Sequence, residues 1–224
     1  MITLTLKSNY PITEDASKLR GFFATKFNEY SLLHQHKDVD KLLYRYPRVQ
    51  YKILDNIPVV LGIEEGADLL KEIYDRYDEI RLGDNVYKII ERGITLKEVE
   101  FGLSRDILSY RFITPWIALN KDNYERFYKL SRRDGRELLR KTLVGNILSA
   151  SKGLDYVVLD EIKLDIGRID QKKCFIKKTP LIGFECDFMV NFLIPDYLGL
   201  GKSVSRGFGV IKRLKDLKEE SVRS

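Results

Sequence analysis

Histidine occurs at two positions of the 224-residue chain, His34 and His36, and a single residue separates them. In an extended backbone, side chains two residues apart point to the same face. Because imidazole titrates near neutral pH, such a pair can divide the work of a general base and a general acid. From the residues alone, two other interpretations stay open, a surface pair without a role and a pair of metal ligands. Metal binding is disfavoured because no third and fourth ligand of matching spacing lies nearby.

Two tyrosines and a cation follow the histidines along the chain, with Tyr44 and Tyr46 on either side of Arg45. A phenol can orient an attacking hydroxyl group or donate a proton to a leaving group. A guanidinium group matches the geometry of phosphate. We therefore add Tyr44 and Tyr46 to the candidate catalytic residues, and Arg45 to the candidate phosphate-binding residues.

A glycine-rich segment in the C-terminal part of the chain combines backbone freedom with positive charge. From Leu198 to Val210 it has the sequence Leu-Gly-Leu-Gly-Lys-Ser-Val-Ser-Arg-Gly-Phe-Gly-Val. Glycine lets a backbone approach a ligand closely, and exposed N–H groups, hydroxyls and cations suit phosphate oxygens. The candidate phosphate-binding residues of this segment are Gly199, Gly201, Lys202, Ser203, Ser205, Arg206, Gly207 and Gly209.

Two common nucleotide-binding motifs do not fit this glycine-rich segment. The spacing of the Walker motif is absent, and the Rossmann motif needs an early strand–helix unit, whereas this segment is predicted to lead into a strand. The alternative is a β-hairpin that needs glycine only for its turns. Four glycines interleaved with two cations and two serines exceed what a turn requires, so we favour phosphate binding.

Positive charge is concentrated in particular stretches of the chain, whose formal net charge is +6. Residues 55–84 carry nine acids against three bases, while 129–141, 168–178 and 201–218 are basic. A basic surface favours an anionic partner such as nucleic acid or a membrane surface. We expect the acidic stretch to be solvated and the basic stretches to form the binding side.

The composition indicates a folded cytoplasmic protein that needs no cofactor. Hydrophobic residues make up 44% of the chain, enough for a core. No apolar stretch is long enough to span a membrane, and the first residues lack the pattern of a signal peptide. Cys174 and Cys186 form no Cys-x-x-Cys pair, so we expect neither a zinc site nor any other metal.

The first half of the chain has the periodicity of a β-α-β-β-α-β unit. Ile2, Leu4 and Leu6 alternate as in a half-buried strand. Thr13 is predicted to cap a helix that begins with Glu14. The later elements are strands at 48–54 and 57–63, a helix from Glu64 to Tyr77, and strands near 79–82 and 86–100. This order is typical of a ferredoxin-like fold.

The second half of the chain starts a new set of elements and is less regular. A strand from Ile107 to Ile113 precedes Trp116, which we interpret as a packing residue, and Asn120 is predicted to cap a helix. Gly135 and Gly145 are predicted to break the helical stretch 121–150, and 155–193 is rich in strands. These elements predict a second sheet-and-helix domain in an α+β protein, with the boundary between the two domains near 103–113.

Taken together, these residues resemble the CRISPR repeat-processing endoribonucleases of the repeat-associated RNA-binding superfamily. The similarity rests on the glycine-rich segment, on the stretches 33–36 and 44–52, and on Thr114-Pro115-Trp116-Ile117-Ala118-Leu119-Asn120. The resemblance implies two tandem ferredoxin-like (RRM-like) domains packed together, spanning 1–104 and 105–224. It further implies metal-independent cleavage of repeat RNA, in which the 2′-hydroxyl attacks the adjacent phosphate and leaves 2′,3′-cyclic phosphate and 5′-hydroxyl ends. It also implies that one of His34 and His36 is the base, with His36 the more critical histidine and Tyr44 favoured over Tyr46 as the assisting phenol.

The resemblance implies CRISPR repeat RNA as the partner, with effector-complex subunits and a second copy of the chain as further candidates. A rival hypothesis is a non-catalytic RNA-binding subunit of a CRISPR effector complex, which shares the fold and the glycine-rich segment. A third is a ferredoxin-like protein that binds a small phosphorylated ligand. The histidine pair favours the endoribonuclease.

Overall fold

The alternating apolar residues at the N-terminus form the central strand of a sheet. The computed structural model describes residues 1–34, 46–176 and 179–214. Ile2, Leu4 and Leu6 are buried, and β1 (Ile2–Ser8) pairs antiparallel with a strand on each side. Because successive side chains of a strand point to opposite faces, one face of β1 supplies a core.

The chain forms two structural units, each with its own sheet. Met1–Val99 and Ser203–Gly207 make up the first unit, and Glu100–Lys202 and the residues from Phe208 onward make up the second. After β1, the first unit contains α1 (Ala16–Lys26), α2 (Ser31–His34), β2 (Val49–Leu54), β3 (Ile57–Gly62), α3 (Glu65–Ile73), β4 (Glu79–Leu82) and β5 (Asn85–Leu96).

The sheet of the first unit has the strand order β2-β3-β1-β5-β4, and its paired strands are antiparallel. β4 is an additional edge strand; the other four strands have the ferredoxin-like order, in which the first strand lies between the third and the last. Leu19 and Phe23 of α1 pack into one core with Leu70 and Ile73 of α3 and with the strands. The edge of the sheet opposite β4 is β2.

The second unit contains β6 (Gly102–Phe112), α4 (Lys121–Phe127), α5 (Arg132–Gly153), β7 (Leu164–Ile176), β8 (Thr179–Leu193) and β9 (Ile211–Arg213). Its strand order is β7-β8-β6-β9, so the first strand again lies between the third and the last. The predicted fold class of two tandem ferredoxin-like domains is confirmed.

The second unit differs from the complete pattern between β8 and β9. Where a second helix is expected, residues 194–210 contain none. Tyr197, Gly201, Ser203, Gly207 and Gly209 have positive φ, which is incompatible with a right-handed helix. The glycine-rich segment therefore replaces a helix of the fold.

The cap predicted for α1 is wrong. Asp15, and not Thr13, is the N-cap residue, and its carboxylate accepts hydrogen bonds from the backbone N–H groups of Ser17 and Lys18. Glu14 is not helical because its buried carboxylate accepts hydrogen bonds from Asn85 and Tyr87, at 2.5 and 2.7 Å. This tertiary contact moves the start of the helix to Ala16.

The helix break in the second unit also lies elsewhere than predicted. Gly135 and Gly145 are both inside α5. The chain leaves α4 after Phe127 and restarts at Ser131, whose hydroxyl accepts from the N–H of Asp134. The predicted cap at Asn120 is confirmed, since its side chain accepts from the N–H of Asn123. Within the part of the chain that the structure describes, no helix is both long and apolar enough to span a bilayer.

Candidate functional site

The histidine-bearing stretch starts at the end of α2. Leu33 is buried in the core of the first unit, and His34 is the last residue of the helix; of His34 the structure describes the backbone alone. His36, Tyr44 and Arg45 lie outside the described residues. Tyr46 is described and is buried. The described residues on either side of this stretch, Leu33 and Tyr46, are therefore both buried.

Close contacts within the protein require three of the four glycines of the glycine-rich segment. A Cβ on Gly201 would lie 2.6 Å from Nε1 of Trp116, and one on Gly207 would lie 2.8 Å from Cβ of Ala16. A Cβ on Gly209 would overlap the carbonyl of Leu200, and Gly199 bridges to Val210. The glycines thus shape the segment, and the side chains between them are the groups that remain to meet a ligand.

Trp116 is a packing residue, as the sequence predicts. Its ring is fully buried and stacks on Phe112 with a centroid distance of 5.2 Å. Its Nε1–H donates to Oδ1 of Asn146 at 2.8 Å. Any side chain at position 201 would collide with this ring, so the buried position of Trp116 explains why residue 201 is a glycine.

The polar residues of the segment differ in exposure. Lys202 is exposed, and its Nζ donates to the carbonyl of Leu119 at 3.3 Å; partial burial lowers the pKa of its amine. Ser203 begins a tight turn in which its carbonyl accepts from the N–H of Arg206 at 2.8 Å. Ser205 is buried. Lys202, Ser203 and Arg206 are therefore the residues of this segment best placed to meet phosphate.

Arg206 lies beside β2, the edge strand of the first sheet. It forms a parallel β-bridge with Tyr51 of β2. Burial, and next the charge of Arg206, lower the pKa of the Arg20 guanidinium on α1. Arg20 and Arg206 thus place two positive charges near each other, and positive charge attracts anions.

A buried polar chain lies in the same strand. Gln50 and Lys52 are fully buried. The Nζ of Lys52 donates to Oε1 of Gln50 at 3.1 Å, and Nε2 of Gln50 donates to the carbonyl of Pro47 at 3.3 Å. Burial lowers the pKa of Lys52 to about 7. This chain ties β2 to the backbone that immediately follows Tyr46.

Arg20, Gln50 and Lys52 were not among the candidate site residues predicted from the sequence. Their positions carry a weak signal, because Gln50 and Lys52 share one face of a strand whose other face is apolar. Such a polar face is ordinarily exposed to solvent. Its burial depends on tertiary structure and has no local signature.

The chain is a tandem ferredoxin-like protein, with two ferredoxin-like sheets, a glycine-rich segment in place of a helix, and Arg206 at the β2 edge of the first sheet. Models of the Cas6b N-terminal domain and the Cas6b C-terminal domain match residues 1–100 and 102–214. The chain belongs to the Cas6b family.

Three relatives support this assignment. A crystal structure of Cas6b is 35% identical, covers 96% of this chain and 100% of its own, and superposes with a TM-score of 0.86. A crystal structure of a CRISPR RNA processing endoribonuclease Cas6b is 32% identical over 95% of this chain and 98% of its own, with a TM-score of 0.74. An uncharacterised protein of Methanocaldococcus jannaschii is 41% identical over 65% of this chain and 99% of its own length. The family resemblance seen in the sequence is confirmed.

Proposed function

We propose that this chain is an endoribonuclease that cleaves CRISPR precursor transcripts within their repeats to give guide RNAs. The observation that carries the proposal is the match to both Cas6b domains, together with the likeness, over 95% of the chain, to a solved CRISPR RNA processing endoribonuclease. The cations at the edge of β2 and the glycine-rich segment support RNA as the ligand, because guanidinium and ammonium groups bind phosphates without regard to sequence.

The cleavage chemistry we propose uses the RNA's own 2′-hydroxyl group. One of His34 and His36 accepts the proton from this hydroxyl, whose oxygen then bonds to the adjacent phosphorus. The bond from phosphorus to the 5′-oxygen breaks, and the other histidine or a tyrosine gives that oxygen a proton. The products are a 2′,3′-cyclic phosphate and a 5′-hydroxyl end, and the reaction needs no metal ion.

We assign the more critical role to His36, and we favour Tyr44 over Tyr46 as the assisting phenol. The burial of Tyr46 in the first unit supports this order, because a buried phenol is less accessible to a phosphate. Lys202, Ser203 and Arg206 bind the RNA backbone in this proposal, and Arg45 adds a further cation. Gly199, Gly201, Ser205, Gly207 and Gly209 hold the segment in the conformation that presents those groups.

Replacement of His36 by alanine tests the proposal. We expect His36→Ala to lower the single-turnover cleavage rate of repeat RNA by roughly 10²–10⁴, because a positioned acid or base contributes about that factor. The dissociation constant for the same RNA should stay close to that of the wild type. The assay uses end-labelled RNA with EDTA present, and 2′,3′-cyclic ends are identified by mass spectrometry.

Three outcomes would contradict parts of this proposal. Loss of binding in parallel with cleavage would assign the histidines a structural role. Cleavage that stops when EDTA is added would replace the metal-independent mechanism. Tight RNA binding by the wild type without any cleavage would favour the non-catalytic RNA-binding subunit.

A further inference from the structure

A groove lies in the second unit, between the corner that joins α4 to α5 and the strand β7. Its volume is about 770 Å³, and residues of the ranges 127–139 and 167–171 line it. Two basic stretches that are far apart in sequence, 129–141 and 168–178, thus meet at one concave surface. A volume of this size is typical of sites for small organic groups.

An ordered aromatic ring forms one wall of this α5–β7 groove. Tyr128 is 55% exposed. The rings of Tyr124 and Phe127 meet its ring edge to face, at 5.0 and 5.8 Å. Phe127 in turn packs on Phe184, at 5.4 Å. The ring of Tyr128 is therefore held in place from the core while one part of it faces solvent.

Three guanidinium groups line the groove, against the single carboxylate of Asp170. Arg136 is held in place by Asp165 and by the carbonyls of Ile166 and Gly167. Nε of Arg168 lies 3.2 Å from Asp170, and both side chains are exposed. Arg132 is exposed, and it forms no ion pair within 4.0 Å among the side chains that the structure describes. Arg136 and Arg168 are each paired with a carboxylate, so the charge of Arg132 leaves the groove with a net positive charge.

A polar group faces the ring across the groove. Oε1 of Gln171 lies 3.4 Å from the hydroxyl of Tyr128. An amide presents both a donor and acceptors, which suits the hydrogen-bonding edge of a nucleobase. Ring, amide and cations together form a stacking surface, an edge contact and a phosphate contact within one concave site.

We propose that the α5–β7 groove binds one unstacked nucleotide of the repeat RNA, with its base against Tyr128 and its phosphate at Arg132 and Arg168. This inference rests on the proposed function, which supplies RNA as the ligand. An exposed aromatic ring next to cations is how proteins hold single strands. A base inside a duplex has no free face for stacking, so the segment held here is single-stranded.

The test compares Tyr128→Leu with Tyr128→Phe in the His36→Ala background, so that RNA is not cut during the titration. Stacking of one base contributes about 1–3 kcal/mol. We therefore expect Tyr128→Leu to weaken binding of single-stranded repeat RNA by roughly ten-fold or more, and Tyr128→Phe to bind nearly as the parent does. Binding of a fully base-paired form of the same RNA should change little in either variant.

Arg132→Gln tests the phosphate contact separately. Loss of one phosphate contact lowers the slope of log K against log salt by about 0.7 for a single strand, and we expect a change of that size. Ultraviolet crosslinking of bound RNA should place a nucleotide adduct on Tyr128 or a neighbouring residue.

Matched controls come from the first unit. Tyr10 is 68% exposed, and Arg81 is an exposed arginine of β4. Tyr10→Leu and Arg81→Gln should leave binding unchanged. If Tyr128→Leu and Arg132→Gln bind RNA as their parent does, or if the controls weaken binding equally, the groove is not an RNA site.

Failure of this inference and failure of the proposed function give different results. A parent protein that binds and cuts repeat RNA, with groove variants that behave identically, removes the groove alone. A parent that binds no RNA removes both. Crosslinks confined to other parts of the chain would also remove the groove from the RNA interface.

Discussion

Among the cationic side chains that the structure describes, Lys52 has the pKa that differs most from its ordinary value. Its amino group is fully buried, and its hydrogen bond to Gln50 supplies no opposite charge. Among the side chains that the structure describes, no carboxylate pairs with this amine; removal of an unpaired ammonium group from water is costly, so the neutral form is favoured. The pKa of Lys52 is lowered to about 7 for this reason.

This burial makes the stability of the protein depend on pH. An unfolded lysine has a pKa of about 10.4. Between about pH 7 and that value the unfolded chain holds a proton that the folded chain has released, so the free energy of unfolding rises with pH, by up to about 1.4 kcal/mol per unit. The cost of burying the charge is fully present below this window and is lifted above it.

Lys52→Met should remove that pH dependence. We expect the free energy of unfolding of the variant to exceed that of the wild type most near pH 7. The variant leaves Gln50 without its hydrogen bond to Lys52, which offsets this gain by about 1–3 kcal/mol. The difference should shrink steadily as the pH rises to 9. Urea unfolding at pH 7, 8 and 9 measures it, with exposed Lys88→Met as the control. Parallel curves for Lys52→Met and the wild type would mean that Lys52 is charged in the folded protein.

At the scale of the elements, periodicity predicted β2 and β3 well because it reports burial directly. The strands expected at 48–54 and 57–63 are β2 and β3, displaced by at most one residue. Helix ends were harder to predict, because a local cap competes with tertiary contacts. Glu14 is the example: its hydrogen bonds to Asn85 and Tyr87 involve residues that are distant in sequence.

Asp15→Ala tests the cap that the structure assigns to α1. Loss of an N-cap acceptor costs about 0.5–2 kcal/mol, and we expect a decrease in the free energy of unfolding within that range. Asp15→Asn keeps an acceptor of similar strength and should stay close to the wild type. Chemical unfolding of the three proteins gives the comparison, and equal stability of Asp15→Ala and Asp15→Asn would argue against the cap.

Part of each candidate site could be predicted from the local sequence, and the rest depends on tertiary contacts. Composition alone identified the glycine-rich segment, because glycines, serines and cations stand next to each other there. It did not indicate that Gly201 and Gly207 are needed for contacts with Trp116 and Ala16. The sequence did not predict the α5–β7 groove either, because the two basic stretches that line it come together only in the folded protein.

At the scale of the whole molecule, the glycine-rich segment is shared between the two units. Ser203–Gly207 belongs to the first unit, whereas Lys202 belongs to the second. The β-bridge from Arg206 to Tyr51 adds this short stretch to the edge of the first sheet. Of the cations that we propose for RNA binding, Lys202 therefore belongs to the second unit and Arg206 to the first.

Lys202→Gln combined with Arg206→Gln tests this shared segment. Each phosphate contact on a single strand contributes about 0.7 to the slope of log K against log salt, so the double variant should lower the slope by about 1.4 and weaken binding most at low salt. The control is Arg81→Gln with Lys88→Gln, which removes the same charge from exposed positions of the first unit. Because net charge changes equally in both proteins, a smaller slope in the first variant alone identifies direct contacts. An equal decrease in both would mean that the segment acts only through the overall charge of the protein, and an unchanged slope would remove it from the RNA interface.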